Sequence, residues 1–353
     1  MKKKMTLLSL VLTASMAGAS LLEAASAASY RVTEKLPLAG DGGWDYLAID
    51  PAARLLYISH ATQVQLFDLS QKKIVGTIPD TPGVHGVAWA SALGRGFTSN
   101  GKENTVTMFD LKTHRVLGRI PVGGQNPDAI VFDPVSAKVF TFNGKSKDAT
   151  VIDAESAKVI GHIPLGGKPE FAVADGRGML YDNLEDRSQL IAIDTSQWTV
   201  KKRWPVAPCE EPSSLAIDRE HRRLFVGCEN RQMVVVDADG GRVIAALPIG
   251  AHVDATVFDA GRGLIFNAGG DGTLTVIRED GPDRYHEVET VLTQKGARTL
   301  ALDSQTHRLY LVTAEFGPPP PAAQEGHPRP RIVPGTFTLL TVAREASPAG
   351  ASR

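Results

Sequence analysis

The chain has 353 residues, with 38 Lys+Arg against 39 Asp+Glu, 34 Gly, 22 Pro, two Cys and 6% aromatics. That length allows one large domain or two ordinary ones, and 42% hydrophobic residues can build a substantial core, which excludes wholesale disorder and a multi-span membrane protein. A formal charge of −1 argues against a general nucleic-acid binder, which carries a concentrated basic face.

At the amino terminus, Lys2, Lys3 and Lys4 precede an apolar run from Thr6 to Leu22, followed by small residues in an A-x-A pattern at 24–28. This predicts a signal peptide over residues 1–27, removed after Ala27 or Ala28; the apolar run is too diluted by Ser, Thr and Gly to read as a retained anchor. Its removal takes away three Lys and one Glu and brings the formal charge to −3. The mature protein is expected to be periplasmic or secreted, monomeric and without a membrane span.

The rest of the chain is periodic. Seven hexapeptides align, beginning at Asp45, His85, Asp128, Glu170, Ser213, Asp254 and Arg298, at spacings of 40, 43, 42, 43, 41 and 44 residues. That is the period of a four-stranded propeller blade. Within a unit, a strand such as Leu55–Ser59 or Leu224–Cys228 follows a polar turn. A third strand ends in Asp (Asp68, Asp110, Asp153, Asp194, Asp237), and a fourth runs through segments such as Val116–Pro121 or Val243–Pro248. Alternating β-branched residues with Asp, Gly and Asn at the breaks predict four short antiparallel strands, and Gly/Pro punctuation disfavours helical repeats.

The last unit supplies only three strands, Thr299–Asp303, Leu309–Ala314 and Phe337–Arg344. Val32–Gly40 has the character of the missing outer strand, so the two chain ends are expected to meet in one blade and close the ring. The predicted fold is an all-β, seven-bladed β-propeller over residues 30–344, with a Pro-rich insertion at 317–335 and a disordered tail at 345–353.

Units 127–167 and 212–250 resemble the YVTN repeats of YncE-like β-propeller proteins, over essentially the whole mature chain. The resemblance implies an exported seven-bladed propeller. Some members of that family bind nucleic acid, which the mature charge of this chain argues against, and the Pro-rich insertion departs from the family pattern.

In this architecture the start of each inner strand and the loop joining the second and third strands share one rim. Asp45, His85, Asp128, Glu170, Ser213, Asp254 and Arg298 are therefore expected to ring one mouth of the channel, with Glu210 and Glu211 beside them. His60, Asn183 and other polar residues of the second-to-third-strand loops are expected on the same rim. Close carboxylates must hold a proton, pair with Arg298 or recruit a cation, with Asp128, Glu170 and Asp254 as candidate ligands. Oxygen ligands favour Ca²⁺ or Mg²⁺, and adding His85 or His60 admits a transition metal. The same residues also suit plain strand starts around a water-filled channel.

Cys209 and Cys228 fall on this rim, and in an exported protein they are expected to form a disulfide that fastens the 209–212 loop. Two free thiols or a soft metal site are the alternatives, the second lacking a His at ligand spacing. The segment 317–335 is expected to be extended, crossing the rim as a flap or presenting a docking strip. Hydrolase, zincin, P-loop, dithiol and c-haem motifs are absent. The expected function is binding of a small molecule, metal ion or periplasmic protein at the acidic rim. A metal-assisted lyase or lactonase with His85 as acid or base, and a scaffold acting through the flap, are the alternatives.

Overall fold

The computed structural model describes residues 29–318 and 331–345. The expected signal peptide, the middle of the Pro-rich insertion and the tail beyond 345 lie outside the described residues. Seven sheets of four antiparallel strands are present, six of them built from consecutive strands. The first strands of blades 1–7 are Trp44–Asp50, Val84–Ala90, Pro127–Asp133, Pro169–Ala174, Pro212–Asp218, Val253–Asp259 and Leu300–Asp303. Each touches the first strand of the blades before and after it, so together they circle the axis.

Blade 7 takes its outer strand from the other end of the chain. Ser29–Pro37 pairs antiparallel with Thr338–Glu345, from Ser29 opposite Glu345 to Pro37 opposite Thr338. Glu345, expected in the tail, is thus the last residue of the closing sheet. Tyr30 anchors the strand: its ring packs edge-on against Phe266, and its hydroxyl accepts from Arg262 at 3.0 Å.

Burial follows the radial order. Second and third strands such as Leu55–His60 are buried, whereas outer strands such as Lys73–Ile78 alternate exposed and half-buried residues. The core is divided into seven clusters, each lying between two adjacent blades, so the apolar seams hold the ring together. Fold and turns have one sequence signature. The Asp ending a strand caps the following turn by accepting backbone N–H groups two and three residues on: Asp50 from Ala52 and Ala53, Asp68 from Ser70 and Gln71.

The same turns carry latches between blades on the face away from the mouth. The residue four past the strand-ending Asp adopts left-handed φ, 57° at Arg54 and 58° at both Arg222 and His307. Each reaches back to the buried Asp at the end of the preceding blade's first strand or, for Asp175, one residue past it. Arg222 meets Asp175 at 2.9 Å, His307 meets Asp259 at 2.7 Å, and Arg54 grips Asp303 with both nitrogens at 2.8 Å. Arg54 thereby latches blade 7 to blade 1 and holds the Asp303 carboxyl below its usual range, against the opposing effect of burial.

Candidate functional site

Six of the seven inner strands carry a β-bulge where they begin. The register shifts between Trp44 and Leu47, Val84 and Val87, Pro127 and Ile130, Pro169 and Ala172, Pro212 and Ser214, and Val253 and Ala255. The extra residue in each strand falls at Asp45, His85, Asp128, Glu170, Ser213 or Asp254. A bulge leaves a residue out of the ladder and redirects its side chain, and the six bulges bring most of the expected ring into contact.

Around the mouth, three cations lie among the carboxyls. His85 Nδ1 donates to Asp45 Oδ2 at 2.5 Å and lies 3.5 Å from Asp128 Oδ1. Asp254 Oδ2 accepts from Arg298 Nε at 2.5 Å. Glu170 lies 3.0 Å from Lys168 Nζ, which also pairs with Glu185. Ser213 is buried and donates to the Val253 carbonyl at 2.6 Å, so it joins blades 5 and 6 and adds no charge.

These groups titrate unusually. Burial raises the Asp128 carboxyl to about 7 and Glu170 to about 8, with neighbouring carboxylates adding to the shift. Burial also raises Asp45. His85 moves up to about 9: burial opposes its charge, but the hydrogen bond to Asp45 and the fields of Asp128, Asp45 and Glu170 outweigh it. Carboxyls near neutrality beside a cationic imidazole form a site in which protons and cations compete.

The mouth has a floor that the sequence did not signal as functional. Tyr46, next to Asp45 in its bulge, crosses to blade 4, where its hydroxyl lies 3.4 Å from the Glu170 carbonyl and its ring meets Phe171 edge-on at 4.9 Å. Burial and the carboxylates around it push the Tyr46 phenol well above its ordinary value, so it stays neutral. The available signal is size: the second residue of the other six hexapeptides is small at Gly86, Ala129, Ser214, Ala255 and Thr299, and aromatic at Phe171, the ring that Tyr46 meets.

Asp182 was also missed. It is fully buried in the second strand of blade 4, neither carboxyl oxygen has a hydrogen-bond partner among the described residues, and burial holds it protonated, reinforced by the fields of Glu170 and Asp128. The matching residues of blades 2 and 3 are Thr98 and Thr141, which donate to Asn100 and Asn143 two positions on.

Two expected rim residues are buried in second strands at the mouth end of their blades instead of standing in loops. His60 ends a second strand, is 1% exposed, and stacks on Phe337 with centroids 4.2 Å apart. Burial lowers its pKa, so it is a neutral packing group. Asn183 lies within Met179–Leu184, not in the following loop, and its amide donates to the Ser214 carbonyl at 3.0 Å across the seam to blade 5. Glu211 is exposed at the rim, with its N–H on Ser188 Oγ at 3.2 Å. Beside it, Cys209 and Cys228 form a buried disulfide, with Cα atoms 5.5 Å apart.

The expected metal trio is partitioned differently. Glu170 and Asp254 already face Lys168 and Arg298. Among the described residues, the set whose ligand atoms all lie within 4.8 Å of one another at the mouth is Asp45, His85 and Asp128. No helix among the described residues is long and apolar enough to cross a membrane.

No family model matches the chain, and no curated protein matches its sequence. Solved structures do. Kuenenia stuttgartiensis hydrazine synthase aligns at 16% identity with a TM-score of 0.67, covering 78% of this chain and 94% of that one. U3-55K aligns at 8% identity with a TM-score of 0.73, covering 88% and 99%. At such identities the likeness concerns architecture alone, and with the seven four-stranded sheets it establishes this chain as a seven-bladed β-propeller.

Proposed function

We propose that this chain is an exported, monomeric binding protein of the YncE-like, YVTN-repeat kind, whose ligand seat is the charged mouth and whose ligand is a divalent transition-metal cation. The observation that carries the reading is the convergence of Asp45, His85 and Asp128 within 4.8 Å at bulges of three successive blades. One imidazole and two carboxylates suit Zn²⁺ or Mn²⁺ better than Ca²⁺ or Mg²⁺, which prefer oxygen alone. Export is supported by the signal-like amino terminus and by the disulfide, a bond that persists in oxidising compartments.

A metal here would take the place of the proton shared between His85 and its carboxylates, so binding should strengthen as pH rises. The test is calorimetric titration of chelator-treated protein with Mn²⁺ and Zn²⁺. Asp45→Asn and Asp128→Asn should each weaken mouth binding at least tenfold, while Ser213→Ala leaves it unchanged. Unchanged affinity in the Asp45→Asn/Asp128→Asn double variant would refute the assignment.

A second reading, a metal-assisted lyase or lactonase, is favoured by Asp128 near 7 and Glu170 near 8, the range in which a carboxyl serves as general acid or base at neutral pH. It requires a turnover that His85→Ala abolishes.

A further inference from the structure

The seam between blades 5 and 6 has no latch cation, as is also the case where Gly94, Ala137 and Gly178 hold that position, and it adds a second acid there. The residue four past Asp259, where Arg54, Arg222 and His307 supply cations at their own seams, is Gly263, with φ of 60°. Asp218, which closes the first strand of blade 5, therefore receives no cationic side chain from that turn. The second acid stands at the residue whose N–H bonds to the carbonyl at the latch position. That residue is Leu69 in blade 1, Thr195 in blade 4 and Ala238 in blade 5, all buried, but Glu279 in blade 6.

Two carboxyls thus face one seam, with side chains 5% exposed at Asp218 and 3% at Glu279. His221 completes the group: its Nδ1 lies 2.7 Å from Asp218 Oδ2 and 3.5 Å from Glu279 Oε1. One ligand atom from each residue falls within 4.8 Å of the others. The Tyr285 hydroxyl is 3.0 Å from Glu279 Oε1, and Asp218 also accepts the backbone N–H groups of Glu220 and His221. The nearby cation, Arg223, is committed to the Pro282 carbonyl, Asp283 and Asp237.

Two buried carboxyls with one partly exposed imidazole leave this seam without the cation that Arg54, Arg222 or His307 supplies at three other seams. A tetrahedral ion bound at about 2.0–2.1 Å sets its ligands roughly 3.3 Å apart, close to the spacings already present, and the exposed edge of His221 offers a way in. We propose that the blade 5–6 seam, on the face away from the mouth, binds a divalent transition-metal cation through Asp218, His221 and Glu279, which takes the place of the missing latch. This site is independent of the mouth.

The test uses the full mature chain carrying Asp45→Asn and Asp128→Asn, so that the mouth is disabled. Titration with Zn²⁺ alone should give one equivalent bound and a zinc-dependent rise in melting temperature. Adding His221→Ala or Glu279→Gln should weaken that binding at least tenfold and remove the rise. Glu279→Leu, which restores the apolar residue of blade 1, should melt higher than its parent without metal and show no response to zinc. Absence of a zinc response in the mouth-disabled chain, or its survival in Glu279→Leu, would overturn the proposal.

Discussion

Asp182 offers a direct measure of what burying an unpartnered carboxyl does to this ring. Its two oxygens lack hydrogen bonds and the side chain is fully buried, so the native state holds the proton far above the ordinary carboxyl range. Below the unfolded pKa of about 3.9 both states are protonated and the shift has no effect. Above it the unfolded chain ionises while the native chain does not, so stability falls as pH rises toward the native pKa, by about 1.36 kcal/mol per pH unit. Asp182→Asn has nearly the same shape and cannot ionise. Between about pH 4.5 and 6.5 the variant should gain about 2.7 kcal/mol over the parent. With an unfolding entropy of roughly 2.1 cal/mol/K per residue, that is about 4 °C in melting temperature for a chain of this size. The assay is thermal unfolding of both proteins across pH, read as the difference between them so that the other ring groups cancel. A difference that stays flat over this range would show that Asp182 is ionised or solvated in the native ring.

Two further outcomes follow from the blade seams and the rim. Arg222→Ala leaves the buried Asp175 carboxylate without its cation and should lower stability by about 3 kcal/mol in denaturant unfolding, an effect that Asp175→Asn in the same chain should largely relieve. Replacing Cys209 and Cys228 by Ala opens a loop spanning 19 residues and should lower stability by about 3 kcal/mol on the chain-entropy account, with the loss seen equally after reduction of the parent.

The architecture was legible because it is written seven times. The period, the Asp at each strand end and the strand-like Val32–Gly40 sufficed to place the blades and the closing sheet, since each reflects local turn chemistry or alternation. The mouth was legible in part. Hexapeptide starts identified Asp45, His85 and Asp128, but which residues pair depends on bulges that alter a side chain's direction without altering composition. The burial of His60 and Asn183 is not legible because their surroundings come from distant sequence: Phe337 of blade 7 covers one, and Ser214 of blade 5 receives the other. Tyr46 and Asp182 resemble ordinary strand residues until the ring closes. Only then does one reach across the channel, and only then is the other left without a partner.

The pairing of Ser29–Pro37 with Thr338–Glu345 also governs the order in which the molecule can be completed. A chain that emerges amino end first carries a strand whose hydrogen-bonding edge has no mate until nearly everything else has been made. Six blades can assemble from neighbouring hairpins as they appear. The circle cannot be joined until the residues around 340 arrive, because that contact spans almost the whole polypeptide and its loop-closure entropy must be met in one step. Until that moment both ends present open sheet edges, so the interval between the first strand and the last is when this protein is most exposed to pairing with the wrong partner.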